Sequence, residues 1–175
     1  MFWHLPLILM CLLNSVYINL FYLFIYAIIN TVLFSGRDGQ LLFDVLKGIK
    51  YIKIDEFNFM IKNHIFGKFL FILTYSFVPL FINLKTISYK KYLNAFLFVI
   101  LFLTLFKTIN GYISFYDWIK PGIINILKID NPTKPTVLTI ILIFNFVPIL
   151  VSNTINFVLI YILNKRLKTT YELYF

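Results

Sequence analysis

Residues Val137–Leu163 read VLTIILIFNFVPILVSNTINFVLIYIL, without a single charged side chain. A membrane-crossing helix needs roughly 20 apolar residues, because the hydrocarbon core is about 30 Å thick and a helix rises about 1.5 Å per residue. This run is long enough with residues to spare. Working outward, Leu5–Phe34, Phe69–Leu84 and Tyr92–Phe106 have the same character. All seven acidic residues (Asp38, Asp44, Asp55, Glu56, Asp117, Asp130 and Glu172) fall outside the four runs.

The composition agrees. At 61% apolar residues and a mean hydropathy of +0.87, the 175-residue chain is far richer in apolar side chains than a water-soluble domain, where about 45–50% is usual. The expected fold is all-α and integral to a membrane, in one domain covering 1–175. It has about four transmembrane helices, at about 5–34, 66–84, 92–113 and 137–163. One or two amphipathic helices are expected at the interface, at about 40–53 and 119–129.

The first run would be about 45 Å long as one helix, so it must tilt, kink or extend into the headgroups. Pro6 suits its first turn. No basic segment precedes it and no small-residue cleavage site follows, so the first helix is expected to be retained. Ser35-Gly36-Arg37-Asp38-Gly39 ends it. Leu41, Leu42, Val45, Leu46, Ile49 and Ile52 then recur at helical spacing, opposite Asp44, Lys47, Lys50 and Lys53. Pro79 loosens the second span. Pro121-Gly122 opens the second amphipathic piece, and Thr136 is placed to cap the last helix. Phe77-Val78-Pro79 and Phe146-Val147-Pro148 repeat near the middle of two spans. The basic residues number six in 35–68 and three in 114–136, against three in 85–91 and three in 164–175. The excess places the 35–68 side in the matrix or cytoplasm.

Polar groups inside the runs are few. Asn145, Ser152 and Asn156 share one helical face, and Asn19, Tyr26 and Asn30 repeat the spacing. Such a seam is read as interhelical hydrogen bonding, each bond contributing about 0.6 kcal/mol. The alternative is the lining of a substrate path, as in helices broken at a transporter site. Lys107 is the one charge that falls within a span, and its place near the end of its run favours snorkelling to the headgroups. Cys11 lies in an apolar run and is expected to be buried and inert. His4 and His64 lie in interfacial segments, with no metal-ligand or nucleophilic pattern around them. No catalytic, metal-binding or cofactor-binding residue is expected, and no cofactor.

The net charge of +9 is carried by 14 Lys and 2 Arg beside the apolar runs. That distribution fits membrane phospholipids, cardiolipin among them, rather than nucleic acid. Lys85, Lys90, Lys91, Lys165 and Arg166 are the candidate headgroup contacts. Phe, Ile, Asn, Lys and Tyr dominate while Ala is scarce, a bias that follows AT-rich codons. In composition the chain resembles hydrophobic respiratory-complex subunits encoded in mitochondrial genomes. Two short stretches are also similar to NADH dehydrogenase subunit 1. They are Asp44-Val45-Leu46-Lys47 after Gly39-Gln40-Leu41-Leu42, and Thr86-Ile87-Ser88-Tyr89 before an apolar helix. The order agrees with that family. The spacing is shorter, Lys90 stands where the family has Glu, and the acidic quinone-side loop is missing. The resemblance transfers no functional residue and implies a relative without proton-coupling carboxylates.

The expected role is a non-catalytic structural or accessory subunit of a multi-subunit respiratory-chain complex, complex I foremost, in the mitochondrial inner membrane. Its partners would be other membrane subunits. ATP synthase is a second complex of that kind. The alternative is a small carrier or channel component for a neutral or lipid substrate, and the alternative location is a bacterial plasma membrane.

Overall fold

The structure, a computed structural model, describes residues 4–29, 63, 65–82 and 88–174. Among them every regular element is helical. The elements are α1 (His4–Leu13), α2 (Val16–Ile29), α3 (Ile65–Leu80), α4 (Tyr89–Leu127) and α5 (Lys134–Tyr174). The expected helix at 40–53 lies outside the described residues.

α4 and α5, of 39 and 41 residues, form an antiparallel hairpin. Its register is fixed by the Tyr92–Asn164 hydrogen bond, the Phe96–Phe157 ring contact and the packing of Gly111 on Ile141. Each contains one stretch long and apolar enough to cross a membrane, Tyr89–Tyr116 and Lys134–Asn164. α1, α2 and α3 are too short for that individually.

Three expected boundaries move. The first run breaks at Asn14-Ser15 into α1 and α2. The Asn14 amide donates back to the Met10 carbonyl at 2.9 Å, and such local side-chain bonding competes with the helix ladder. The second run is irregular throughout. α3 opens as a π-helical turn over Ile65–Phe69, is α-helical over Leu70–Leu73 and tightens to 3-10 over Thr74–Leu80, where Pro79 lies. Its 16 residues make about 24 Å at an α-helical rise. The amphipathic piece expected at 119–129 is not separate, because α4 passes through Pro121 to Leu127. Ile123 packs on Val137 and Ile141 of α5, so tertiary contact continues across the proline.

The turn between the two long helices uses left-handed backbone at Lys128 (φ 55°) and Asn131 (φ 47°). Thr133, rather than Thr136, caps α5. The Thr136 N–H donates to the Thr133 hydroxyl oxygen at 3.4 Å, because Lys134 and Pro135 already occupy the first helical positions.

The main core joins α1, α2, α3 and the upper parts of α4 and α5 through Ile8, Cys11, Leu23, Tyr75, Val78 and Leu103. A smaller cluster of Ile123, Val137 and Ile141 closes the loop end of the hairpin. Much apolar surface stays outside both. Phe144 is 70% exposed and Leu101 64%.

Candidate functional site

α3 runs antiparallel to α4. Gly67 packs beside Asn110, Phe71 lies at Lys107, and Phe77 and Phe81 meet Phe98. Where the start of α3 meets the α4–α5 hairpin, a cluster of polar side chains gathers. The Asn110 amide donates to the Asn63 side-chain oxygen at 2.9 Å, and the Ser114 hydroxyl donates to the Asn110 oxygen at 3.0 Å. The Asn145 amide donates to the Ile141 carbonyl at 2.9 Å and to the Lys107 carbonyl of α4 at 3.4 Å.

Glycines make this approach possible. A Cβ on Gly67 would stand 2.8 Å from the Asn110 amide nitrogen, and one on Gly111 would stand 2.7 Å from an Ile141 methyl. An open groove of about 530 Å³ starts here. Lys107, Asn110 and Asn145 form its polar end, and Phe115, Ile123 and Phe144 line its apolar length towards Ile126 and Leu127.

Lys107 lies against α3. Its ammonium sits over the Phe71 ring, 4.9 Å from the centroid. A helical Cα–Cβ bond tilts towards the helix N-terminus, which on α4 points away from the nearer end of the apolar segment at Tyr116. The cation therefore lies with the ring. Lys68 lies within electrostatic range of it.

The expected seam residues occupy different settings. Asn19 is buried, and its amide donates within its own run, to the Cys11 carbonyl at 2.8 Å and the Asn14 carbonyl at 3.3 Å. Tyr26 is 38% exposed, and Asn30 lies outside the described residues. On α5, Asn145 reaches α4 as described, and Ser152 is half-buried. Asn156 is fully buried with neither amide atom hydrogen-bonded among the described residues.

Two amides that the sequence reading passed over do bond between helices. The Tyr75 hydroxyl donates to the Asn153 oxygen at 3.1 Å, and the Asn164 amide donates to the Tyr92 hydroxyl. Their signal is the buried stripe Val137, Ile141, Ile149, Asn153, Asn156, Ile160 and Asn164. Asn153 fits that stripe better than Ser152 does.

Among the candidate headgroup lysines, Lys90 and Lys91 are exposed at the start of α4, and Arg166 is exposed just past Asn164. The Tyr92–Asn164 bond places these basic positions at the same end of the hairpin. Lys85 and the Lys165 side chain lie outside the described residues. Among the described residues no group of His, Cys, Asp and Glu is placed to hold a metal ion. Cys11 is a buried free thiol. Ser88 and Tyr89, from the second stretch similar to NADH dehydrogenase subunit 1, form the extended N-cap and first residue of α4. No family model matches the chain, and no curated protein and no solved structure matches it.

Proposed function

We propose that this chain is an integral membrane protein that crosses the bilayer four times and serves as a structural subunit of a larger membrane complex. The observation that carries the reading is how little of its apolar surface the chain covers for itself. Only 17% of the most apolar window of α5 is buried, and 39% of that of α4. The core helix of a water-soluble protein would be mostly covered, and exposed apolar area on this scale marks a lipid or protein contact. In the four-crossing arrangement α1 and α2 together make one crossing and α3, α4 and α5 one each.

The lack of carboxylates in the apolar runs supports a structural role, since proton or ion coupling within a membrane draws on such groups. Composition supports the mitochondrial inner membrane and the respiratory chain, with complex I as the first assembly to examine. The test is native electrophoresis of tagged chain from mildly solubilised membranes. Migration with a large assembly is expected, and migration only as a monomer or small homo-oligomer defeats the reading.

The groove at Lys107 supports a second reading, a carrier or channel component. An apolar channel with a few amides at one end suits a neutral or lipid substrate. Purified chain in liposomes would then pass such a substrate, and loss of flux on replacing Asn145 would support it.

A further inference from the structure

Lys107 shares the lining of the deep end of the groove with Asn63, Asn110 and Asn145, and no acid lines it among the described residues. Lys107 lies about 13 Å inside the Tyr116 end of the apolar segment of α4. Charged groups at such depth are costly, and they pair with opposite charges or face a polar cavity. The ring of Phe71 offsets part of the cost, and Lys68 adds to the positive potential. Asn110 and Asn145 line the same end.

From this we propose that Lys107 pairs with a carboxylate on an apolar helix of a partner subunit, seated along the groove between α4 and α5. The inference rests on the membrane-subunit reading above and names the chemistry of the contact.

The polarity of the groove selects a helix over a lipid. Its apolar end, at Ile126 and Leu127, lies beside the 128–133 turn, past Tyr116 where the apolar segment of α4 ends. Its charged end lies inside. A lipid carries its headgroup at the surface and its chains at depth, so it would have to enter inverted. A helix carries a carboxylate at whatever depth its sequence sets. From Lys107 to Leu127 the groove follows about 30 Å of α4, of which about 13 Å lies inside the apolar segment that ends at Tyr116. Being open and about 530 Å³, it holds one row of side chains from such a helix rather than the whole helix. Gly122 keeps the row clear, as a Cβ there meets no atom within 4 Å.

The experiment has two arms on the full chain in its own membranes. In the first, a membrane-permeant carbodiimide joins contacting amines and carboxylates, and mass spectrometry reads what is attached to Lys107. The expected product links Lys107 to an Asp or Glu within an apolar stretch of another chain. In the second, native electrophoresis compares wild type with Lys107→Arg, Lys107→Gln and Gly122→Leu. Lys107→Arg should assemble. Lys107→Gln should lower assembled chain about tenfold or more, as when one member of a buried charge pair is removed. Gly122→Leu, which fills the groove and keeps the charge, should also lower it.

Attachment of Lys107 to Asp44, Asp55 or Glu56 of its own chain overturns the proposal. So does an anionic lipid that co-purifies with wild type and is lost from Lys107→Gln while assembly is unchanged. So does full assembly of both Lys107→Gln and Gly122→Leu. In each of those outcomes wild type still migrates with the large assembly, whereas wild type migrating alone defeats the membrane-subunit reading itself.

Discussion

The Tyr75 hydroxyl donates to the side-chain oxygen of Asn153 at 3.1 Å, and both residues are buried. The Asn153 amide in turn donates to the Ile149 carbonyl at 3.0 Å. This ties the 3-10 half of α3 to the middle of α5. Tyr75→Phe removes the donor with little change in volume. The expected loss is about 0.6 kcal/mol and at most about 1.7, the range of interhelical hydrogen bonds in membranes. Unfolding in mixed micelles, with a double-mutant cycle against Asn153→Leu, reads the coupling directly. No coupling would mean the bond does not form in the folded chain.

Asn156 gives the opposite expectation. Its amide is as buried as that of Asn153 and has no partner among the described residues. Leu has the same branched skeleton without the polar atoms, so Asn156→Leu should stabilise the fold by about 1 kcal/mol. The same micelle titration measures it. Destabilisation, or loss of a transport activity with unchanged stability, would instead favour the carrier reading.

These two amides also show what was legible in the sequence. The long apolar helices α4 and α5 were, because Val137–Leu163 is a charge-free run of helical length and Tyr92–Phe106 is the charge-free centre of a longer apolar helix. The polar face was legible only in part. Asn145 and Asn156 fell on it, but a strict seven-residue step chose Ser152 where the packed stripe uses Asn153. Asn110 and Tyr75 gave no warning, since their roles depend on where α3 lies against α4 and α5. Local signals misled at Pro121-Gly122, which reads as a stop. The helix nevertheless runs on to Leu127, with Ile123 packed on Val137. A kink in the first run was expected from its length, and its position at Asn14-Ser15 was written as two residues that favour local bonding.

Two glycines should respond differently from a third to the same added methyl. At Gly111 the new Cβ meets an Ile141 methyl at 2.7 Å, inside the α4–α5 contact, so Gly111→Ala should cost about 1–3 kcal/mol. Gly67→Ala meets the Asn110 amide at 2.8 Å and should cost a similar amount by disturbing the Asn110–Asn63 bond. Gly122→Ala meets nothing and should gain up to about 1 kcal/mol from helix propensity. Thermal stability of the three purified variants in one detergent ranks them. Equal effects at Gly111 and Gly122 would refute the close approach of the hairpin.

Lys128 ends α4 at φ 55° and ψ 34°, where a side chain is crowded against the backbone. Glycine takes this conformation freely and is the commonest residue at such a helix end. Lys128→Gly should therefore stabilise the hairpin by about 1 kcal/mol, the usual cost of a left-handed residue with a Cβ. The variant also removes one positive charge from the loop, so Lys128→Gln, which keeps the Cβ, is the control. A gain confined to the glycine variant identifies the backbone as its source.

At the break between α1 and α2, Asn19 bonds two carbonyls that the interrupted helix leaves open, those of Cys11 and Asn14. Within an apolar environment each orphaned carbonyl costs about 1–3 kcal/mol. Asn19→Leu keeps the shape and removes the donor. Two outcomes are open to the chain: it keeps the break and loses stability, or it restores the helical ladder and straightens. Both lower the stability of the native packing, because Cys11 and Leu23 are fixed in the core by the bend. Asn14→Leu removes the competing side-chain bond to Met10 and should promote straightening, so the double variant should recover part of the loss. Spin labels near the two ends of the run would lengthen their separation in the double variant if the bend depends on these two amides. An unchanged distance would assign the bend to packing against α3 alone.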